Sequence, residues 1–349
     1  RVALPIAAWA ARPADSARPA SVFSRLAVAA AHAEEATHAL TARAEAAAEA
    51  TRAAEVPLVA AAETGPSGAD RADAHLNRDG RYASIRGGVL YATRDFASSD
   101  GAYDLYIHFH GNTRVVLESA EHVHLNALVA IVNLGVGSAP YEDAYAMPGS
   151  YKALLEGIAR GAAERGLAAP HVRRIAIGTW SAGYGAVSGI LRQKDARDGL
   201  DALLCMDGIH VGYNEEGPHE PKRLNLAPFI EAAKSAARGE ILFSITHSAV
   251  VPEGYASTTE TADVLLDEVG AHRVQADASE APEHVEIAAA KGAVAKRLEK
   301  SLEPTTEARV GGLHVRGYRG GMPEDHMAHL LQMAATVMPE LAARWEHAP

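Results

Sequence analysis

The chain has 349 residues, 48% of them apolar and 22% charged, with a net charge of -11 and a single cysteine, Cys205. That length is enough for one large domain with an appendage, or for two ordinary domains. The acidic balance opposes binding to a phosphate backbone, the want of about 18 apolar residues in a row opposes a membrane span, and a lone cysteine rules out an intrachain disulfide or a multi-thiolate metal site.

Residues 1–80 are read as an alanine-rich arm and linker. "TARAEAAAEATRAAE" has charges at helical spacing but almost no large apolar side chain, so it forms helix without a core of its own, and "AAETGPSGADRADA" has linker composition. The opening "RVALPIAAWAARPA" resembles the end of a signal peptide, which favours a secreted or periplasmic location over a cytoplasmic one. From residue 81 to 349 the pattern changes to short strands alternating with helices. "YASIRGGVLYATR" predicts an antiparallel hairpin around Gly87 and Gly88.

"YDLYIHFHG" and "LNALVAIVNLG" then read as buried strands, and "GSYKALLEGIARGAAERG" as a helix stopped by Gly166. The strand "RRIAIGTW" leads into a helix after Ser181, followed by the strands "DALLCMDG" and "GEILFSITHS". "STTETADVLLDEVG" is a helix with Ser257 or Thr258 as N-cap, and "EHVEIAAAKGAVAKRLEKSL" an extra amphipathic helix with Val294, Leu298 and Leu302 on one face. "GGLHVRGYRG" is the last strand before a C-terminal helix around "HMAHLLQMAATVM". Strands and helices in this alternation predict an α/β fold with a mostly parallel central sheet and helices on both faces.

One stretch carries chemistry. A serine hydroxyl attacks only when a base takes its proton and the chain holds it clear of the sheet. In "TWSAG" Ser181 sits at a strand-to-helix bend with Gly183 two positions on; Thr179 stands where a small residue is expected, and Gly178 is displaced by one. The plainer reading is a capping serine in a glycine-rich turn. Strand, bend and helix together resemble the nucleophile elbow of the α/β-hydrolase fold, and the resemblance covers residues 81–349.

The resemblance implies a serine hydrolase cleaving an ester, or an amide, through an acyl-enzyme, with an acid and then a histidine after the serine in the chain. Asp207 follows the strand "DALLCM" and His326 follows the last strand. Most members of the family place the acid one strand later, where Glu253 and the more distant Asp263 lie, so Glu253 is the alternative acid; His329, one turn later, is a rival to His326, and His314 lies within the strand itself. The resemblance further implies an oxyanion hole from the backbone N–H groups of Ala182 and, in "HFHGN", Asn112, with His110 structural beneath the loop. Trp180, Tyr184 and His210 are candidates for the substrate pocket, although Trp180 could equally pack beneath the elbow. The expected partner is a small-molecule or polymer ester, with no nucleic acid and no cofactor or metal; nothing sets the oligomeric state.

Two other readings remain open. His108 and His110 form a His-x-His pair, and "HVH" at residues 122–124 a second, which fits a metal-dependent hydrolase. A hydrolase scaffold without catalysis, serving as a binding module, is the other. "GTWSAGYG" does not match G-x-G-x-x-G, and Trp180 would obstruct a pyrophosphate, so dinucleotide binding is set aside.

Overall fold

The computed structural model describes residues 83–288 and 302–347. The alanine-rich arm, the signal-like opening and most of the extra amphipathic helix lie outside the described residues. Within them no helix is long and apolar enough to cross a membrane.

Among the described residues ten strands form one sheet: β1 Ala83–Ile85, β2 Gly88–Ala92, β3 Ala102–Phe109, β4 Leu128–Val132, β5 His171–Trp180, β6 Leu200–Met206, β7 Leu242–His247, β8 Val274–Gln275, β9 Pro304–Val310 and β10 Leu313–Tyr318. Their spatial order is β1-β2-β4-β3-β5-β6-β7-β10-β9-β8. The six strands from β4 to β10 in that order run parallel, and antiparallel ribbons close both edges. The predicted hairpin is β1 and β2, with Gly87 turning at φ 76°.

The helices are α1 Thr113–His122, α2 Ala139–Tyr145, α3 Ser150–Glu164, α4 Tyr184–Leu191, α5 Arg223–Ala237, α6 Thr258–Asp267, α7 Pro323–Leu331 and α8 Val337–His347. Ser257 caps α6 through a reciprocal pair of bonds with Glu260. The C-terminal helix expected as one piece is two, α7 and α8, joined by a 3-10 turn at Met333–Ala335. At that joint the Thr336 hydroxyl bonds to Gln332 O, a local alternative to the helical ladder.

The nearly continuous apolar strands are explained by two cores. Leu105, Ile107, Phe109, Ile177, Leu203, Cys205 and Ile245 pack on one face. Tyr106, Ile131, Ala176, Trp180, Leu204 and Met206 pack on the other, against α1 and α8. Alternate side chains point to opposite faces, so a strand covered on both sides buries nearly every position, mostly with apolar residues and here also with the polar Asp104, His108, Thr179, Ser244 and Thr246. Fully burying each large aliphatic side chain contributes about 1.5–3 kcal/mol.

The sheet order also says where a site belongs. The chain goes from β3 to β4 on one side, then returns to place β5 on the other side of β3. In open parallel sheets such a reversal leaves a crevice at the carboxyl ends of the two strands. His110 to Asn112 follow β3 there, and Ser181 follows β5.

Candidate active site

Three neighbouring strands, β3, β5 and β6, are each followed at their carboxyl ends by a non-glycine residue in the left-handed region: His110 at φ 64°, Ser181 at φ 49° and Asp207 at φ 43°. Such a conformation costs about 1–3 kcal/mol and persists where surrounding structure imposes it. For Ser181 the surroundings are close backbone. A Cβ on Gly183 would collide with the carbonyl of Phe109, and one on Gly208 would lie 2.6 Å from Ser181 N and O. Only glycine fits either position.

The departure at Thr179 is accommodated locally. Its buried hydroxyl lies where a Cβ at position 183 would be, so threonine is tolerated because residue 183 is glycine. Gly178 serves a different neighbour: a Cβ there would come within 2.7 Å of the Tyr106 ring.

His326 sits in the first turns of α7, 23% exposed at its side chain, and its Nδ1 lies 2.8 Å from Asp207 Oδ2. Asp207 is 5% exposed at its side chain. It also accepts from Ser248, whose hydroxyl reaches Oδ2 at 2.6 Å and whose N–H reaches Oδ1 at 3.0 Å. Burial pushes the Asp207 carboxyl up, but the hydrogen bonds from His326 and Ser248 and the nearby His329 outweigh it and hold the group well below the usual carboxylate range. Asp207 is therefore an anion at neutral pH.

Trp180 is buried between two imidazoles. Its ring stacks on His110 at 5.2 Å and on His326 at 4.8 Å, and its Nε1–H donates to His326 O at 3.1 Å. It thus packs beneath the elbow and braces the start of α7. Ser181 and His326 are not hydrogen-bonded to one another among the described residues.

The backbone N–H groups of Asn112 and Ala182 donate to no acceptor among the described residues. The Asn112 side chain is occupied in capping α1, where it accepts from Arg114 N and Val115 N. That cap fixes the turn after β3, as does the bond from Gly111 N–H to Asn133. His110 is held beneath this turn by Tyr141 OH at 2.9 Å from Nδ1. Burial, with His326 a smaller contributor, lowers His110 to about 4, so no cation lies beside His326 from that side.

Tyr184, His210 and Tyr255 form a row of edge-to-face rings with centroids 5.7 and 5.2 Å apart. Tyr255 is 41% exposed. Tyr255, Ser248 and Gly208 were not singled out in the sequence; only the "DG" following a strand hinted at Gly208.

The rivals are exposed or engaged with other partners. Glu253 is in an exposed part of the loop after β7, and Asp263 is paired with Arg273 at 2.7 Å. His329 is buried with Nδ1 on Thr246 Oγ1 and is lowered by burial to about 4. His314, at the opposite end of β10, bonds Glu340. His108 has both ring nitrogens engaged, Nδ1 with Tyr106 OH at 2.8 Å and Nε2 with His110 O at 3.0 Å. The His-x-His pair therefore directs no two free lone pairs at one point. His124 bonds Asp95, and no group of three ligating side chains occurs among the described residues.

No family model matches the sequence, and no curated protein matches it. Among solved structures, the chain is similar to LpqC, a poly(3-hydroxybutyrate) depolymerase from Bordetella parapertussis, at 12% identity and a TM-score of 0.34, over 74% of this chain and 84% of that one. It is similar too to a Mycobacterium tuberculosis puromycin-hydrolyzing peptidase, at 14% identity and a TM-score of 0.32, over 72% of this chain and 38% of that one. The α/β-hydrolase-like fold is carried by the sheet order and by the left-handed bend at Ser181 themselves.

Proposed function

We propose that this chain is a serine hydrolase that cleaves an ester, with an amide as the second substrate class, through an acyl-enzyme. The observation that carries the reading is the buried Asp207 carboxylate 2.8 Å from His326 Nδ1, at the carboxyl end of the sheet where Ser181 occupies a left-handed bend.

In the proposed mechanism His326 Nε2 takes the hydroxyl proton of Ser181 as Oγ bonds to the substrate carbonyl carbon. The carbonyl oxygen becomes an oxyanion, received by the N–H groups of Ala182 and Asn112. The C–O bond to the leaving alcohol then breaks, and His326 returns the proton to that oxygen. Water repeats the sequence on the acyl-enzyme, giving the acid and restoring Ser181. Asp207 stays ionised throughout, fixes the Nδ1–H tautomer of His326 and stabilises the imidazolium. A neutral His110 and the apolar face of Trp180 leave that cation unopposed. The ring row of Tyr184, His210 and Tyr255 is proposed to flank the substrate.

The test is labelling by a fluorophosphonate probe, wild type beside Ser181→Ala, with a chelator control. Labelling lost in the variant and untouched by chelator supports the reading. A folded wild type that does not label overturns it in favour of a non-catalytic module, and chelator-sensitive ester turnover without labelling favours metal-dependent hydrolysis.

A further inference from the structure

The bonds around Asp207 single out a residue on the neighbouring strand end. Asp207 N–H donates to Thr246 O at 2.7 Å, so the β6 to β7 ladder continues past β6 and brings the residue after β7 alongside the carboxylate. That residue is Ser248, 2% exposed.

Its contacts leave it little freedom. Val250 N–H donates to Ser248 Oγ at 3.1 Å, occupying a lone pair on the oxygen that sends its own proton to Asp207. The Ser248 carbonyl accepts from the Thr259 hydroxyl at 3.0 Å, which ties the serine to the first turn of α6. Asp207 thus has both oxygens held from one side: Oδ1 by the Ser248 N–H, and Oδ2 by the Ser248 hydroxyl and by His326. A carboxylate on a single Cα–Cβ–Cγ stem could otherwise rotate and offer His326 an oxygen at a poor angle.

We propose that Ser248 is a positioning residue for the hydrolytic site, clamping Asp207 through two hydrogen bonds so that Oδ2 stays aligned with His326 Nδ1. This rests on the serine hydrolase reading above. Ser248 acts only through Asp207. Charged and titratable groups around the pair come from several elements: His110 after β3, His210 after β6, His247 on β7 and His329 on α7. None of them touches both Asp207 oxygens as Ser248 does.

The experiment combines Ser248→Ala and Ser248→Thr with Asp207→Asn, on the full chain. The readouts are hydrolysis of a p-nitrophenyl ester and the low-field proton resonance of the His326 Nδ1–H. We expect Ser248→Ala to lose about tenfold in kcat with KM within about twofold, the worth of one hydrogen bond to a charged group. Ser248→Thr recovers most of the loss. In the Asp207→Asn background Ser248→Ala adds almost nothing, because residues acting as one unit are not additive. The Nδ1–H resonance moves or broadens in Ser248→Ala and returns in Ser248→Thr.

A full tenfold loss added on top of Asp207→Asn, or an unmoved Nδ1–H resonance, overturns the proposal. If Ser248→Ala does not fold, Ser248→Cys keeps the volume, weakens the donor and takes its place in every comparison. A wild type that neither labels nor hydrolyses removes the functional reading alone. The resonance then still decides whether Ser248 positions the Asp207 and His326 pair.

Discussion

His326 Nδ1 lies 2.8 Å from Asp207 Oδ2, although 119 residues of chain separate them. Glu253, the other carboxylate considered for this role, sits in an exposed loop after β7. Asp207→Asn is expected to lower kcat by about a thousandfold or more, since the amide selects the wrong imidazole tautomer. Glu253→Gln is expected to stay within about twofold. Parallel steady-state kinetics on one ester check both.

Ser181→Ala removes the proposed nucleophile without changing the bend's packing, because alanine carries the same Cβ. Turnover is expected to fall by about 10⁴-fold or more, with an unchanged melting temperature and circular dichroism. Residual turnover near the wild-type rate would place the nucleophile elsewhere.

The bend itself is tested at Gly208. An added Cβ would lie 2.6 Å from Ser181 N and O, which forces the backbone apart. Gly208→Ala is expected to cost about 1–3 kcal/mol of stability and to reduce activity sharply. Gly212→Ala, where a Cβ meets nothing within 4 Å, is the matched control and should leave both near wild type. Urea titration and ester kinetics on the two variants check this.

Trp180 joins the elbow to α7 by its stack on His326 and its bond to His326 O. Trp180→Phe keeps a ring but loses the donor and is expected to cost a few-fold in kcat. Trp180→Ala opens a large buried space and is expected to cost about 3–5 kcal/mol of stability as well. Comparing the melting temperatures with kcat separates the two effects.

Acid is expected to destabilise this fold in two stages. Burial lowers His329 and His110 from 6.5 to about 4 and His108 to about 3, so in the native state they remain neutral where the unfolded chain binds protons. Their contribution is present above pH about 6.5 and is lost as pH falls to about 4 and then 3. The Asp207 carboxylate, held low against its burial by His326 and Ser248, adds a second loss as pH falls through the ordinary aspartate value of 3.8. Thermal melts from pH 7 to pH 3 should decline from near pH 6.5 downward. His329→Gln is expected to flatten the first stage; an unchanged slope there would show that His329 does not contribute to it.

Much of the frame is legible in the sequence. The runs at residues 103–111, 173–180 and 239–248 are β3, β5 and β7; Leu105, Ile107 and Phe109, and likewise Phe243 and Ile245, recur at every second position, while the polar Asp104, His108, Ser244 and Thr246 beside them are buried as well. Gly87, Gly166 and Ser257 mark a turn, a helix end and a helix start through local backbone chemistry. Less legible were β9 and the two-residue β8, whose polar edge sequences show little periodicity. The break between α7 and α8 was also hidden, since apolar spacing continues through Met333.

The sequence by itself determined the alternation of strands and helices, the serine at a bend between small residues, and a short list of acids and histidines at strand ends. These follow from periodicity, steric allowance and turn chemistry, all of which act over a few residues. Only the tertiary structure decided which acid meets which histidine. Asp207 and Glu253 both follow apolar strands, and their difference lies in the sheet order, which sets β6 beside β5 and brings α7 over its end. The clamp by Ser248, the brace of Trp180 and the need for glycine at position 208 arise the same way, from backbones far apart in the chain that pack at van der Waals distance.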